Sequence, residues 1–246
     1  MKYSIDSTVR FSEIGVDGKL TLPGIVNYFQ DTSVFHSESI GDTIGKLKRQ
    51  GNVWILSSWQ IEIKRYPILR EKIKVSTWAS GFKGCLGYRN FTMEDENHEI
   101  IAFANSLWVY MDLDAMRPSK ITKDEVDAYG EDEAYPMGEL VRKVNVPKET
   151  FELPRTIVKQ SDLDTNFHMN NGQYIRVALD ALEIFFQNNP DKKKNIISSM
   201  RAEYKLSAKF QDVIIPYVYV EEEKAVVDLR NGEGNTYAAV EFIYEE

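Results

Sequence analysis

The sequence is poor in the residues that disulfide, metal and membrane chemistry require. Its 246 residues include one cysteine, Cys85, and three histidines, so an intramolecular disulfide or a cysteine metal cluster cannot form. No uninterrupted apolar run reaches the roughly 18 residues of a membrane span. Residues 1–6 lack the apolar core of a secretory signal. These absences predict a cytoplasmic protein that is not inserted in a membrane.

Positive charge is also scarce, because 38 acidic residues outnumber 30 basic ones and give a net charge of -8. Such a balance disfavours general attraction to nucleic acid or to an anionic membrane. The chain has no glycine-rich phosphate loop, no Walker lysine motif and no Gly-x-Ser-x-Gly elbow. The composition, with 43% hydrophobic residues, favours a globular enzyme that acts on a small molecule or a protein substrate.

The chain contains an internal repeat. Residues 54–64 and 195–205 share Ser-Ser, Glu and Lys at an offset of 141, and strand patterns follow both segments. A helical pattern precedes each segment, from about 23 to 39 and from about 170 to 187. Its apolar positions are Ile25, Val26, Phe29 and Phe35 in the first helix and Tyr174, Ala178, Ala181, Leu182 and Phe185 in the second. Because an antiparallel sheet needs one face covered, the repeat predicts two α+β halves, each a helix on a sheet.

The best candidate site lies at the entry to the second helix. Asp162, Asp164, Asn166 and His168 alternate with apolar residues, so an extended segment would place them on one side. A helix N-terminus suits a developing oxyanion, and a neighbouring carboxylate can activate water or attack directly. The spacing leaves open that Asp164 is only a turn residue and Asn170 only an N-cap. One histidine with two aspartates is a thin metal-ligand set, so no metal is expected.

Three segments resemble acyl-acyl-carrier-protein (acyl-ACP) thioesterases, and the resemblance spans nearly the whole chain. The first resembles the family signature Asp-x-Asn-x-His-x-Asn-Asn-x-x-Tyr-Ile. The second is similar to a strand that ends in Glu-Tyr-Arg, and the third to the Trp-Val-x-Met segment that closes the first half. These segments are, in order, residues 164–175, residues 198–205 and residues 108–118.

The resemblance implies a fold of two tandem hotdog domains, each a long central helix wrapped by an antiparallel β-sheet. The N-terminal domain is expected over residues 1–140, with a polar, acidic connector from about 118, and the C-terminal domain with the catalytic motif over 141–246. Length and the missing transit peptide resemble the bacterial branch. The implied activity is hydrolysis of fatty acyl-ACP to free fatty acid and ACP, which terminates or diverts fatty acid synthesis.

In that interpretation Asp164 activates water or attacks the thioester, Asn166 positions water or substrate, and His168 bonds the carbonyl or assists the leaving thiol. Backbone N–H groups at Asn170, Asn171 and Gly172 are the expected oxyanion donors. No metal or organic cofactor is implied. The acyl tail is expected between helix and sheet in the first half. The partner is an acyl carrier protein, with no nucleic acid and no membrane, and a homodimer is kept as an option.

The sequence departs from the plant relatives after the second-half strand. Where those relatives carry a glutamate and a cysteine with catalytic roles, this chain has Ser207 and Ala208, so a cysteine nucleophile is excluded there. Cys85 lies in the other half and does not match that position. Glu203 is a doubtful catalytic carboxylate, because strand alternation groups it with Arg201 and Lys205 in a surface or inter-strand ion pair.

Other hypotheses remain open at this point. The same fold could hydrolyse acyl-coenzyme A, or could bind acyl groups or carrier protein without hydrolysis. Since the chain is acidic overall, carrier docking needs a local basic patch. Its candidates are Lys46, Lys48 and Arg49; Lys64, Arg65, Arg70, Lys72 and Lys74; and Lys192 to Lys194. A gapless alignment at an offset of 147 places Asp17 opposite Asp164, which predicts one active centre per chain, in the second half.

Overall fold

A computed structural model describes residues 1–43, 45, 49, 51–192 and 195–245. The chain forms two compact units, one of Met1–Ser57 and Ile61–Leu140, the other of Ser58–Gln60 and Val141–Glu246. Each unit contains one long helix and an antiparallel sheet, so the predicted α+β class is confirmed. Within the described ranges no helix is long and apolar enough to cross a membrane.

The first unit carries its strands in the order β1-β3-β4-β5-β2, and β6 pairs with β5. Helix α1 packs on β3 of this sheet. A short helix, α2, lies in the segment predicted as a connector. The elements are β1 (Tyr3–Thr8), α1 (Leu22–Ser39), β2 (Asn52–Ile63), β3 (Lys72–Lys83), β4 (Leu86–Glu94), β5 (Ile100–Asp112), β6 (Arg117–Pro118) and α2 (Lys123–Tyr129).

Helix α1 begins after Thr21, whose hydroxyl accepts the N–H of Gly24 at 3.2 Å and caps the first turn. Its buried face includes Phe29, as the apolar spacing predicts. Phe35, which the same spacing assigns to the covered face, is 47% exposed, and that prediction is wrong. The next residue, His36, is 1% exposed, because the covered face continues by helical spacing through polar residues.

The second unit repeats the arrangement with the strand order β9-β12-β11-β10-β7, and β8 pairs with β10. Helix α3 packs on β10, β11 and β12. The five residues predicted for its apolar face are all buried. The elements are β7 (Phe151–Glu152), β8 (Thr156–Ile157), α3 (Asn171–Asn188), β9 (Ile197–Tyr204), β10 (Val213–Val220), β11 (Lys224–Arg230) and β12 (Thr236–Tyr244).

The repeat has two offsets rather than one. Helices α1 and α3 have 18 residues each and begin 149 positions apart, as do the 3-10 turns that precede them, Phe11–Glu13 and Gln160–Asp162. Strands β3 and β10 begin 141 positions apart. The offset falls from 149 to 141, so the second unit is eight residues shorter between its helix and the strands that follow. The predicted gapless offset of 147 is therefore wrong.

A polar cluster lies inside the first unit where the second unit is apolar. Arg89 donates from Nη1 to Nδ1 of His36 at 2.9 Å and to the hydroxyl of Thr77 at 3.2 Å. Within the described ranges no carboxylate lies at ion-pair distance from this buried guanidinium. Burial lowers the pKa of His36 to about 4 and that of Arg89 to about 10. The positions that correspond in the second unit hold Phe185 and Ala225, both buried.

Candidate active site

The candidate motif lies in a tight loop before α3. The N–H of Asp164 donates to the carbonyl of His168 at 2.7 Å, and Leu163 forms an antiparallel bridge with Met169. Phe167 donates its N–H to the carbonyl of Asp164 at 3.1 Å and has a left-handed φ of 60°. The segment turns back on itself, so the expected alternation of its polar side chains along an extended chain is wrong. The closed loop and the bridge between Leu163 and Met169, rather than the alternation of side chains along a strand, determine where these residues lie.

The carboxylate of Asp164 is held by its own loop. Oδ1 accepts the N–H of Asn166 at 2.7 Å and the N–H of His168 at 3.3 Å. This is the turn contact that the sequence left open as an alternative. This contact is compatible with a chemical role for Asp164, because both hydrogen bonds end on Oδ1 and fix the orientation of the carboxylate. Backbone donors pre-organise a group in this way at many functional sites.

The side chains of Asn166 and His168 differ from the backbone of these residues in their hydrogen bonding. Asn166 is exposed and His168 is half-buried. In the part of the chain that the structure describes, neither side chain forms a hydrogen bond. The structure therefore brings the backbone of both residues to the carboxylate of Asp164, while their side chains stay available to a substrate.

Asp162 is separate from this group. Its Oδ1 pairs with Arg176 at 3.0 Å, and its Oδ2 accepts the N–H of Lys159 at 2.8 Å. The carbonyl of Asp162 accepts the N–H of Asn170 at 2.8 Å. Asp162 thus ties the 3-10 turn to helix α3, and its contacts are those of a structural residue.

Asn170 is the N-cap of α3. Its side chain accepts the N–H of Gly172 at 2.9 Å, and its carbonyl accepts the N–H of Gln173 at 2.9 Å. The N–H of Gly172, one of the expected oxyanion donors, is therefore already engaged in the cap. Asn171 is the first helical residue, and the positive end of the helix dipole lies at this loop.

Two tyrosines to which the sequence analysis assigned no functional role support the loop. The hydroxyl of Tyr174 accepts the N–H of Ala208 at 2.8 Å, and the hydroxyl of Tyr204 donates to the carbonyl of Asn171 at 3.2 Å. Their rings meet edge to face at 5.8 Å. Burial, with a smaller contribution from the charge of Asp164, raises the pKa of Tyr174 to about 12. Both phenols stay protonated at neutral pH. The sequence marks one of these two residues, because Tyr174 is the tyrosine of the family signature.

Glu203 is buried, not on the surface as strand alternation predicted. Its carboxylate accepts the N–H of Val144 at 3.2 Å and lies 3.5 Å from the ammonium of Lys205. The expected ion pair with Lys205 exists, but its two residues belong to the same chain segment, which lies beneath the connector. The first contact holds Val144 against β9, and neither contact reaches the motif loop.

The first unit contains the counterpart of the motif loop. The N–H of Gly15 donates to the carbonyl of Lys19 at 2.8 Å, as Asp164 does to His168, and Gly18 has the left-handed φ of Phe167. This places Gly15 opposite Asp164, Asp17 opposite Asn166 and Lys19 opposite His168. The first unit therefore has no carboxylate at the position of Asp164, whereas the sequence alignment predicted one from Asp17.

The sequence of both units matches the models of a known family. The family model for the acyl-ACP thioesterase N-terminal domain matches residues 1–129, and that for the acyl-ACP thioesterase C-terminal domain matches residues 146–246. The chain belongs to the acyl-ACP thioesterase family.

Relatives and solved structures agree with this membership. The chain is 32% identical over 195 residues to acyl-[acyl-carrier-protein] hydrolase FATB3 of Cuphea viscosissima, covering 72% of this chain and 47% of that protein. It is 25% identical over 264 residues to an oleoyl-acyl carrier protein thioesterase of Coriandrum sativum, covering 98% and 69%. The chain spans about half the length of most curated relatives it matches.

Two solved structures share the fold. An acyl-ACP thioesterase from Bacteroides thetaiotaomicron superposes with a TM-score of 0.87 at 24% identity, covering 99% of this chain and 98% of that one. The 12:0-ACP thioesterase from Umbellularia californica superposes with a TM-score of 0.84 at 20% identity, covering 99% and 97%. The predicted hotdog fold is confirmed.

Proposed function

We propose that this protein hydrolyses fatty acyl-ACP thioesters to free fatty acid and carrier protein. One observation carries the proposal: in the second unit a carboxylate, Asp164, is fixed by two backbone N–H groups at the start of a buried helix, inside a chain that matches the family over both halves. The same loop in the first unit lacks the carboxylate, so we assign one reaction centre to each chain.

The reaction requires a nucleophile, a stabilised oxyanion and a protonated leaving thiol. Asp164 either takes a proton from water as the water oxygen attacks the thioester carbon, or attacks that carbon itself to form an anhydride that water then opens. The carbon–sulfur bond breaks, and the departing sulfur receives a proton that His168 can deliver. Asn166 positions the water or the substrate carbonyl. These are proposed roles, and the two routes for Asp164 stay open.

Oxyanion stabilisation is assigned to the N-terminal end of α3. The N–H groups of Asn170, Gly172 and Gln173 are bonded within the loop and the cap, so the positive end of the helix dipole carries this role. Losing one donor of an oxyanion site typically costs about 3 kcal/mol of transition-state stabilisation. The chemistry of the donor set calls for no cofactor. A cytoplasmic location is proposed from composition alone.

The experiment that tests the activity compares two carriers of the same acyl chain. Purified protein is assayed for fatty acid release from acyl-ACP and from acyl-coenzyme A over a series of chain lengths. A higher kcat/KM with acyl-ACP supports the proposal. A preference for acyl-coenzyme A would move the protein to the related acyl-coenzyme A activity, and absence of hydrolysis with either substrate would leave a binding protein.

A further inference from the structure

An exposed segment follows β9 beside the motif loop. Of residues 205–211, only Ala208 is buried. Its N–H is bonded to the hydroxyl of Tyr174 at 2.8 Å, and its carbonyl accepts the N–H of Met169 at 2.8 Å. The segment is thus attached at one central residue to the loop that carries Asp164. The side chains on both sides of this attachment point face solvent.

Large apolar side chains are exposed around this attachment point. Phe167 at the tip of the motif loop is 74% exposed, Phe210 is 49% exposed and Leu206 is 47% exposed. Single exposed apolar residues are common, but three on adjoining segments are typical of a contact surface. Aromatic side chains are also enriched where proteins meet other proteins.

Lysines accompany these apolar residues. Lys209 is exposed in the segment, and Lys159 adjoins it because Val158 accepts the N–H of Gln211 at 3.0 Å. Lys205 is also exposed, but its charge is paired with Glu203 at 3.5 Å. Four carboxylates of the same region have hydrogen-bond or ion-pair partners. These are Asp162 with Arg176, Asp164 with its own loop, Glu203 beneath the connector and Asp212 with the N–H of Lys209 and the hydroxyl of Tyr237.

We propose that these side chains form the docking surface for the acidic carrier protein, and this inference rests on the proposed function. We call the surface the carrier face. It would join a positive rim to an apolar centre on a chain whose net charge is -8, and so give a local complement to an acidic partner. Its residues are Lys159, Phe167, Leu206, Lys209 and Phe210.

The carrier face differs from the basic patches that the sequence suggested. Lys46, Lys48, Lys193 and Lys194 lie outside the described residues. Arg65 is paired with Glu71 and Asp95 at 2.6 and 3.0 Å, so its charge is largely neutralised. The carrier face also adjoins the loop of Asp164, which shortens the path that the acyl-bearing arm of a docked carrier must span.

The test uses two matched charge reversals at opposite ends of β10. Lys209→Glu lies on the carrier face. Lys224→Glu changes the net charge equally but follows the far end of the strand, about 25 Å away at the usual rise per strand residue. The control loses a pair with Glu221 that is exposed, so the fold should tolerate it.

Two readouts separate docking from chemistry. The KM for acyl-ACP should rise about fivefold or more in Lys209→Glu with kcat little changed, and its dependence on salt should weaken, whereas Lys224→Glu should match the unmodified protein. Turnover of an acyl-N-acetylcysteamine thioester, which has no carrier protein, should be equal in all three proteins. Phe210→Ser should weaken acyl-ACP binding in the same way.

Direct binding keeps this inference distinguishable from the proposed function. Fluorescence anisotropy with labelled holo-carrier protein should show weaker binding to Lys209→Glu than to Lys224→Glu, whether or not the thioester is hydrolysed. Equal affinity and equal KM in the two variants would overturn the carrier face while leaving the hydrolase intact. If Lys209→Glu binds the carrier more weakly than Lys224→Glu but no thioester is hydrolysed, the proposed function alone would be overturned.

Discussion

Gly15 of the first unit and Asp164 of the second occupy the same position of a repeated loop. Each donates its N–H to the carbonyl four residues later, at 2.8 and 2.7 Å, and each precedes an 18-residue helix by seven positions. The backbone of the loop is therefore kept in both units, but the carboxylate is present in one. This difference supports the assignment of a single reaction centre.

Asp17→Asn should leave turnover within about twofold of the unmodified protein. Asp17 corresponds to Asn166, not to Asp164, and its carboxylate accepts the N–H of Lys19 at 3.1 Å in its own exposed loop. The measurement is kcat on acyl-ACP, with folding checked by circular dichroism. A loss as large as that of an Asp164 variant would mean that both units share the chemistry.

Glu203→Gln should retain kcat within about twofold, because the contacts of Glu203 are to the connector and to Lys205. The amide oxygen can still accept the N–H of Val144, so the expected effect is a modest loss of stability from the missing ion pair. Steady-state kinetics check that kcat is retained, and a thermal melt checks the loss of stability. If turnover collapsed while the melt stayed unchanged, Glu203 would belong to the catalytic group.

Tyr174→Phe should lower the free energy of unfolding by about 1–3 kcal/mol, since it leaves the buried N–H of Ala208 without its acceptor. Urea unfolding measures the change. Tyr219→Phe serves as control, because its hydroxyl bonds an exposed Glu221 and its loss should have little effect. Equal stability of the two variants would argue against the bond that attaches residues 205–211.

Stability should depend on pH through His36. Burial, and then the charge of Arg89, lowers the pKa of His36 from 6.5 to about 4, so the folded state favours the neutral ring. The unfolded chain takes up the proton first as pH falls. The contribution of the neutral His36 ring to the free energy of unfolding is therefore complete above pH 6.5. Up to about 3 kcal/mol of this contribution is lost as the pH falls from 6.5 to 4.

The measurement is urea unfolding at several pH values between 4 and 7. His36→Gln, which keeps an acceptor for Arg89, should flatten part of the decline, whereas His98→Gln at an exposed turn should not. A decline of the same size in the His36 variant would assign the pH dependence to other groups.

The two long helices and the strands were predictable because their patterns are local. Helical spacing in α3 selects Tyr174, Ala178 and Phe185, and all three are buried. In α1 the rule holds for the first three apolar positions but fails at Phe35 and passes over His36, because Arg89 stabilises a polar residue on the covered face. A buried hydrogen bond between residues 53 positions apart leaves no periodic signal.

The repeat could be found in the strands but not in the motif loops. Gly18 and Phe167 adopt the same left-handed conformation with different side chains, at φ values of 75° and 60°. Their loops share the hydrogen bonds and no residue identity that an alignment could use. The gapless alignment at 147 therefore missed the offset of 149 that the turns and helices follow by two positions, which put Asp17 opposite Asp164.

The place of Asp164 before the start of α3 could be predicted from its motif, whereas its contacts could not. The sequence indicates a carboxylate near a helix start. It does not show that the carboxylate is fixed by the N–H groups of Asn166 and His168, or that the N–H of Gly172 is taken by Asn170. Those contacts depend on how the loop closes, which the bridge between Leu163 and Met169 decides.

The most direct test of the account is the turnover of Asp164→Asn on acyl-ACP. The amide is nearly isosteric and can still accept the two backbone N–H bonds, so the loop should keep its shape while the base or nucleophile is removed. We expect kcat to fall by at least about a hundredfold, with carrier binding and circular dichroism unchanged. Near-normal kcat in the folded variant would contradict the assignment of the reaction centre to Asp164.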